Sequence, residues 1–158
     1  MAIPETIIRF LQDNEIDYSV VQHPLTTTSW QTVAATHVPP AEFAKAVLLD
    51  TGQGYLLAVI SVLRKLDLRA LENQIGVRTE LVPEAELSKA FPDCAKGAIP
   101  ALGPAYGIDC VVDTTLKGKP EVYFEAGDHE EVIRMNGPDF DAVMKDARYG
   151  AIAPLDDS

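Results

Sequence analysis

Residues 44–61 read AKAVLLDTGQGYLLAVIS, and the fold is decided there. Two apolar runs, Ala44 to Asp50 and Tyr55 to Ser61, flank Thr51-Gly52-Gln53-Gly54, a glycine-rich connection that predicts a β-hairpin. Alternation with period two places Phe43, Lys45, Val47 and Leu49 on one face of the first strand and Ala44, Ala46 and Leu48 on the other. Lys45 therefore shares its face with the larger apolar side chains. An ammonium left dry among them costs several kcal/mol. It must snorkel to water from an edge strand, pair with a carboxylate such as Asp113, or open into a wet pocket that accepts an anion.

Upstream of the hairpin, Pro4 to Asn14 carries Ile7, Ile8, Phe10 and Leu11 at helical spacing, with Pro4 suited to a first turn. Asp17 to Gln22 reads as a strand ended by His23-Pro24, because the residue before proline is pushed to extended geometry. Thr28 and Gln31 resemble a capping box that opens a short helix through Ala35, closed by Pro39-Pro40. Downstream, Asp67 caps a helix containing Leu68, Leu71 and Ile75, Arg78 to Val82 reads as a strand, and Pro83 leads a helix over Glu84 to Phe91. Strands are expected at Cys110 to Val112, Glu121 to Glu125 and Glu131 to Met135, and a last helix over Pro138 to Lys145. Helices and strands interleave without an internal repeat or a linker. This predicts a mixed α/β single domain over residues 1–150 and a flexible tail over 151–158.

The chain has 158 residues, 47% apolar, 23% charged and 7% aromatic, the composition of a globular domain able to bury roughly 70% of its unfolded surface. Thirteen basic against 24 acidic side chains give a net charge of −11, which excludes a blanket nucleic-acid coat. The basic groups concentrate in residues 45–96, with seven of each sign, so a polyanion is best received there. Cys94 and Cys110 match no zinc or redox spacing and read as free thiols in a reducing cytoplasm. The opening MAIPETIIRFLQDN has no basic region followed by a continuous apolar stretch, and no window approaches eighteen apolar residues, so neither export nor a membrane span is expected.

FPDCAKGAIPALGPAYG, residues 91–107, sustains neither helix nor central strand, yet its Ile99, Leu102 and Tyr106 argue for an ordered loop. Within it, Lys96 to Gly103 is stiffened by Pro100 and opened by glycine, so consecutive amides can converge on an anion or an oxyanion, or the segment simply turns a corner. No nucleophile elbow, HExxH or phosphate-binding fingerprint is present. Asp128-His129-Glu130-Glu131 point in alternate directions and do not readily surround a metal, and none is expected. His37 reads as a surface or half-buried residue, and Trp30 as core or lid.

These features occur in a familiar order. His23-Pro24 precedes a Thr/Ser-rich helix start, followed by Ala44-Lys45-Ala46-Val47-Leu48-Leu49 and Gly54 to Val59. Then come Asp93-Cys94 with Gly97-Ala98-Ile99-Pro100 and Gly103, and Val122-Tyr123-Phe124-Glu125-Ala126-Gly127. Together they resemble the YbaK and prolyl-tRNA-synthetase-associated editing-domain family over about residues 4–147. The resemblance implies one α/β domain with a curved, barrel-like mixed sheet and surrounding helices. It implies a free-standing aminoacyl-tRNA deacylase in the cytoplasm, often acting on tRNA for proline, that needs no cofactor. The partners implied are the tRNA acceptor end and, further, an aminoacyl-tRNA synthetase.

By the same resemblance Lys45 holds the terminal adenosine or its phosphate, the amides around Gly97 and Ala98 take the carbonyl oxygen as it becomes negative, and the substrate's ribose hydroxyl helps water attack. Substrate contacts are implied at His23, Ser29, Ser61, Ile99, Pro100, Gly103, Asp113, Ala126 and Gly127. The chain departs from the family pattern at Ser61, Ala95 and Ala101, beside the expected pocket, where specificity is set. Two other classes compete: a non-catalytic module that binds a nucleotide, an aminoacyl end or a synthetase, and a small-molecule esterase indifferent to tRNA.

Overall fold

A computed structural model describes residues 3–95 and 97–155. The hairpin is present with the expected register. Strand β2 (Ala44–Asp50) pairs antiparallel with β3 (Tyr55–Ser61), Lys45 opposite Ile60 and Leu48 opposite Leu57. The reversal is closed by the Thr51 amide donating to the Gly54 carbonyl at 3.0 Å and by the Gly52 amide donating to Asp50 Oδ1 at 2.7 Å. Gly52 has φ +85°, which a side chain would strain. From Leu56 onward β3 is buried on both faces, which is why it reads as an unbroken apolar run.

Around this hairpin the sequence lays down α1 (Glu5–Asp13), β1 (Tyr18–Gln22), α2 (Ser29–Thr36), α3 (Leu68–Ile75), β4 (Glu80–Leu81) and α4 (Leu87–Ala90). After the loop follow β5 (Asp109–Asp113), β6 (Glu121–Glu125), β7 (Glu131–Asn136), α5 (Gly137–Val143) and β8 (Arg148–Gly150). The strands divide between two sheets. One is mixed, in the order β4-β2-β3-β5-β8, with parallel β3/β5 and β5/β8 pairs, and the other is antiparallel, β1-β7-β6. They meet at a parallel bridge between Phe43 and Tyr123 and do not close into a barrel.

Each helix covers a stripe of this framework. Ile7 and Leu11 of α1 and Phe140 of α5 join Leu48, Leu57, Phe124 and Ile133 in the main core between the sheets. Leu71 of α3 packs with Leu49, Ile60 and Val111 on the opposite face of the mixed sheet, and Val33 of α2 packs with Phe43 and Val132. The capping signals hold. The Thr28 hydroxyl accepts the Gln31 amide at 3.1 Å, Gln31 accepts the Thr27 amide in return, and Asp67 caps α3 through Ala70. Among the described residues no helix is long and apolar enough to cross a membrane.

Three expectations change. Of the predicted 78–82 strand only Glu80 and Leu81 form a strand, because they add to the β2 edge and among the described residues no strand lies beyond them. The helix expected over 84–91 is a single 3₁₀ turn, Glu84–Glu86, running into the four residues of α4. Residues 151–155 are not a loose tail. Ile152 is fully buried, the Ile152 and Ala153 amides donate to Asp113 Oδ1, and the Lys65 amide donates to the Pro154 carbonyl. Asp156 to Ser158, the rest of the predicted tail, lie outside the described residues.

Candidate functional site

The Phe43–Tyr123 bridge builds the site. Lys45 stands two residues beyond Phe43 on β2, and Glu125 two residues beyond Tyr123 on β6. Because side chains alternate, both lie on the side of their strands that faces the α2 cluster, where Phe43 and Tyr123 pack. The bridge is where the two sheets meet, so the two groups flank the seam between the sheets. Lys45 is half-buried, and among the described residues no carboxylate comes within 4.0 Å of its ammonium. Asp113, the ion-pair partner considered for it, is engaged elsewhere. Of the three fates open to Lys45, pairing with Asp113 is the one the structure removes.

Glu125 is the residue that sequence reasoning missed. It is buried, with Oε1 accepting the Thr32 hydroxyl of α2 at 2.7 Å while Oε2 has no partner among the described residues. Burial pushes its carboxyl upward from the ordinary value, while the Thr32 hydroxyl and the charges of His23 and His129 pull the other way. Asp128 is fully buried, with Oδ1 accepting the Glu130 and Glu131 amides at 3.0 and 2.9 Å and Oδ2 unmatched. His23, one of the implied substrate contacts, is also buried. Its Nδ1–H donates to the Pro24 carbonyl at 2.7 Å, and Nε2 has no partner among the described residues. No signal in the local pattern singles out Thr32 or Glu125, which are 93 residues apart.

The glycine-bearing loop forms the rim. It is ordered, as its apolar members predict, with Leu102 buried in the main core and Ile99 and Tyr106 packed against it. Asp93 locks it to α1. Its carboxylate accepts Thr6 Oγ1 at 2.5 Å and Tyr106 Oη at 2.8 Å, bonds that hold it below the usual carboxylate range against the opposing effect of burial. Gly97 is exposed, with φ +80°, and a β-carbon there would stand 3.4 Å from Glu84 Oε1 and 3.7 Å from His129 Nε2. The Cβ-facing side of Gly97 thus lies beside a carboxylate and an imidazole, groups that can carry a proton. A cleft of about 270 Å³, lined by Glu84, Leu87, Phe91, Cys94 and Ile99, opens beside it. Lys96 lies outside the described residues.

Several implied contacts are structural instead. Ala98 is buried and its amide already donates to the Ala95 carbonyl at 3.1 Å, so of the two only Gly97 is exposed. Asp113 accepts the Thr115 amide and hydroxyl as well as Ile152 and Ala153, and is thereby withdrawn from any ligand. Ser61 donates to the Pro40 carbonyl and accepts the Leu63 amide. Gly103 is a packing glycine, because a β-carbon would stand 2.3 Å from Cys110 Sγ. Ala126 is in the core, Gly127 sits against Pro4 and Cys94, and Pro100 is buried. Ser29 starts α2 half-buried, Ile99 lines the cleft, His37 is exposed in the left-handed conformation that ends α2, and Trp30 is half-exposed, so it is not a core residue. Among the described residues no cluster of three His, Cys, Asp or Glu can hold a metal ion.

A family model described as an aminoacyl-tRNA editing domain matches residues 23–143, which include Lys45, the Gly97 loop and Glu125. A search of curated protein sequences finds no match. Among solved structures, hypothetical protein APE2540 is 16% identical with a TM-score of 0.82, over 94% of this chain and 99% of that one. A candidate trans-editing enzyme for prolyl-tRNA synthetase is 20% identical with a TM-score of 0.80, over 95% of this chain and 96% of that one. A protein from Marinobacter aquaeolei VT8 with a provisional signal-transduction assignment is 23% identical with a TM-score of 0.77, over 98% of this chain and 31% of that one. Likenesses at these identities show the fold.

Proposed function

This chain belongs to the aminoacyl-tRNA editing domain family, and from that premise we propose that it is a deacylase hydrolysing the ester between a wrong amino acid and its tRNA, tRNA for proline in the first instance. The observation that carries the reading is Lys45, a half-buried cation on a sheet seam with no ion-pair partner among the described residues. A buried cation without a carboxylate is poised for an external anion, and the acceptor end of tRNA offers one in its last phosphate.

In this scheme Lys45 anchors that phosphate and the ester carbonyl is held against the Gly97 amide. Water adds to the carbonyl carbon, with its orientation helped by the neighbouring ribose hydroxyl. The carbonyl oxygen takes the negative charge and is met by the amide, and collapse expels the ribose oxygen, which takes up a proton. The products are a free amino acid and an uncharged tRNA. His129 and Glu84, both beside Gly97, would relay the water's proton. An ester is already activated, so positioning and oxyanion stabilisation supply the acceleration without a protein nucleophile or a cofactor. The proposed setting is the cytoplasm, where tRNA is charged, with an aminoacyl-tRNA synthetase as protein partner.

A panel of mischarged tRNAs, each assayed for release of free amino acid, tests the reading. Release from at least one, well above the rate on the corresponding free amino-acid ester, supports it. Binding of tRNA without release from any member would favour a non-catalytic module, and equal rates on the free esters would favour a small-molecule esterase. One methylene is worth only about 1–3 kcal/mol, so more than one small amino acid is expected to be released.

A further inference from the structure

Among the described residues, three buried side-chain atoms in one neighbourhood have no hydrogen-bond partner: Glu125 Oε2, Asp128 Oδ2 and His23 Nε2. Glu125 and His23 are more than nine-tenths buried and Asp128 wholly so. The charges of Asp128 and His23 both act on Glu125, which ties the three together. Buried polar atoms are matched in the great majority of native sites, so unmatched ones point to a missing group. Two of the three are carboxylate oxygens, which accept, and the Nδ1–H of His23 is already bonded to the Pro24 carbonyl. The missing group is therefore a donor, and beside two carboxylates it is a cationic one. Among the described residues no group of three His, Cys, Asp or Glu can hold a metal ion, whereas an ammonium is a cation that donates.

Resting on the deacylase reading, we propose that Glu125 receives the α-ammonium of the aminoacyl group, with its carboxylate oriented by the Thr32 hydroxyl. Every aminoacyl ester carries that ammonium whatever its side chain, so a fixed carboxylate suits the part of the substrate that does not vary. An ammonium is three donors without an acceptor, the complement of what the cluster offers. Thr32 fixes Oε1 and so aims Oε2, while Lys45 on the other flank of the seam faces the anionic end of the same substrate. The seam thus presents opposite charges to a ligand that is cationic at one end and anionic at the other.

The experiment compares an aminoacyl-tRNA with its N-acetylated counterpart, which keeps the ester and loses the charge. Both are hydrolysed by the unaltered chain and by Glu125→Gln, which keeps the side-chain size and an oxygen to accept from Thr32. The ratio of kcat/KM for the free-amine over the acetylated substrate is expected to exceed about tenfold in the unaltered chain, as a charge-assisted bond requires. It should fall towards one in Glu125→Gln, while Glu125→Asp, keeping the charge one methylene short, gives an intermediate ratio. A ratio unchanged by Glu125→Gln, or near one in the unaltered chain, overturns the inference and leaves the deacylase reading standing. Absence of release from every substrate by the unaltered chain overturns that reading and the inference with it.

Discussion

Asp113 and Glu125 are both buried carboxylates, and their bonding separates their duties. Asp113 is saturated by the Thr115 hydroxyl and three amides, so its removal strands the Ile152 and Ala153 amides in the interior. At about 1–3 kcal/mol per stranded group, Asp113→Ala should lower unfolding stability by about 3 kcal/mol in a urea titration, without lowering the activity of the molecules that remain folded. The thiols give a prediction in pH. Burial pushes Cys94 up to about 11 and Cys110 up to about 12 from an ordinary value of 9.0. A group with a raised folded-state value favours folding below its unfolded value, and the benefit fades as pH climbs through the folded one. Stability should therefore fall between pH about 9 and about 12, and Cys94 in the native chain should alkylate roughly a hundredfold more slowly at pH 8 than in urea. A thiol that reacts at the unfolded rate would contradict this. Lys45 was legible because a lysine in an apolar alternation is a local anomaly. Glu125 was not, because its meaning depends on a helix 93 residues earlier, and Asp113 was misread because its partners return from the far end of the chain.

At the scale of elements, legibility followed length and locality. The hairpin, α1, α3 and α5 announce themselves through periodicity, caps and turn residues within a dozen positions. The three residues of β8 do not, and β4 was read as Arg78 to Val82 where two residues pair, since so short a strand exists only by virtue of its partner. The segment after β8 belongs with these. Ile152 is a fully buried side chain worth about 2–3 kcal/mol, and it brings two amide bonds to Asp113. Truncation after Gly150 should therefore cost about 4 kcal/mol and lower the thermal midpoint by about 10 °C. A midpoint shifted by no more than a degree would mean that the segment is the loose tail its composition suggests. The cap of α2 is a smaller test of the same logic. Thr28→Ala should cost about 1 kcal/mol and, by loosening the helix that carries Thr32, reduce activity beyond the loss of folded protein.

For the molecule as a whole, a net charge of −11 limits how nucleic acid can be held. Broad contact with a duplex is opposed, whereas a grip confined to the single-stranded end needs one or two phosphates and a pocket. Affinity for tRNA should consequently fall with salt along a shallow line, with a log–log slope of about −1 to −2. A slope several times steeper would place tRNA across the outer surface. The mixed α/β class and single core were readable from composition and interleaved periodicities. The division into two sheets was not, because it turns on one bridge, Phe43 to Tyr123, between segments 80 positions apart. That bridge sets Lys45 on the seam, and the most direct measurement bears on it: single-turnover release of amino acid from the best mischarged tRNA by Lys45→Ala beside the unaltered chain. The rate should drop at least about a hundredfold, with the thermal midpoint held within about 3 °C, since no buried partner is left behind. Release at an undiminished rate would show that the cation on the seam is not what holds the substrate.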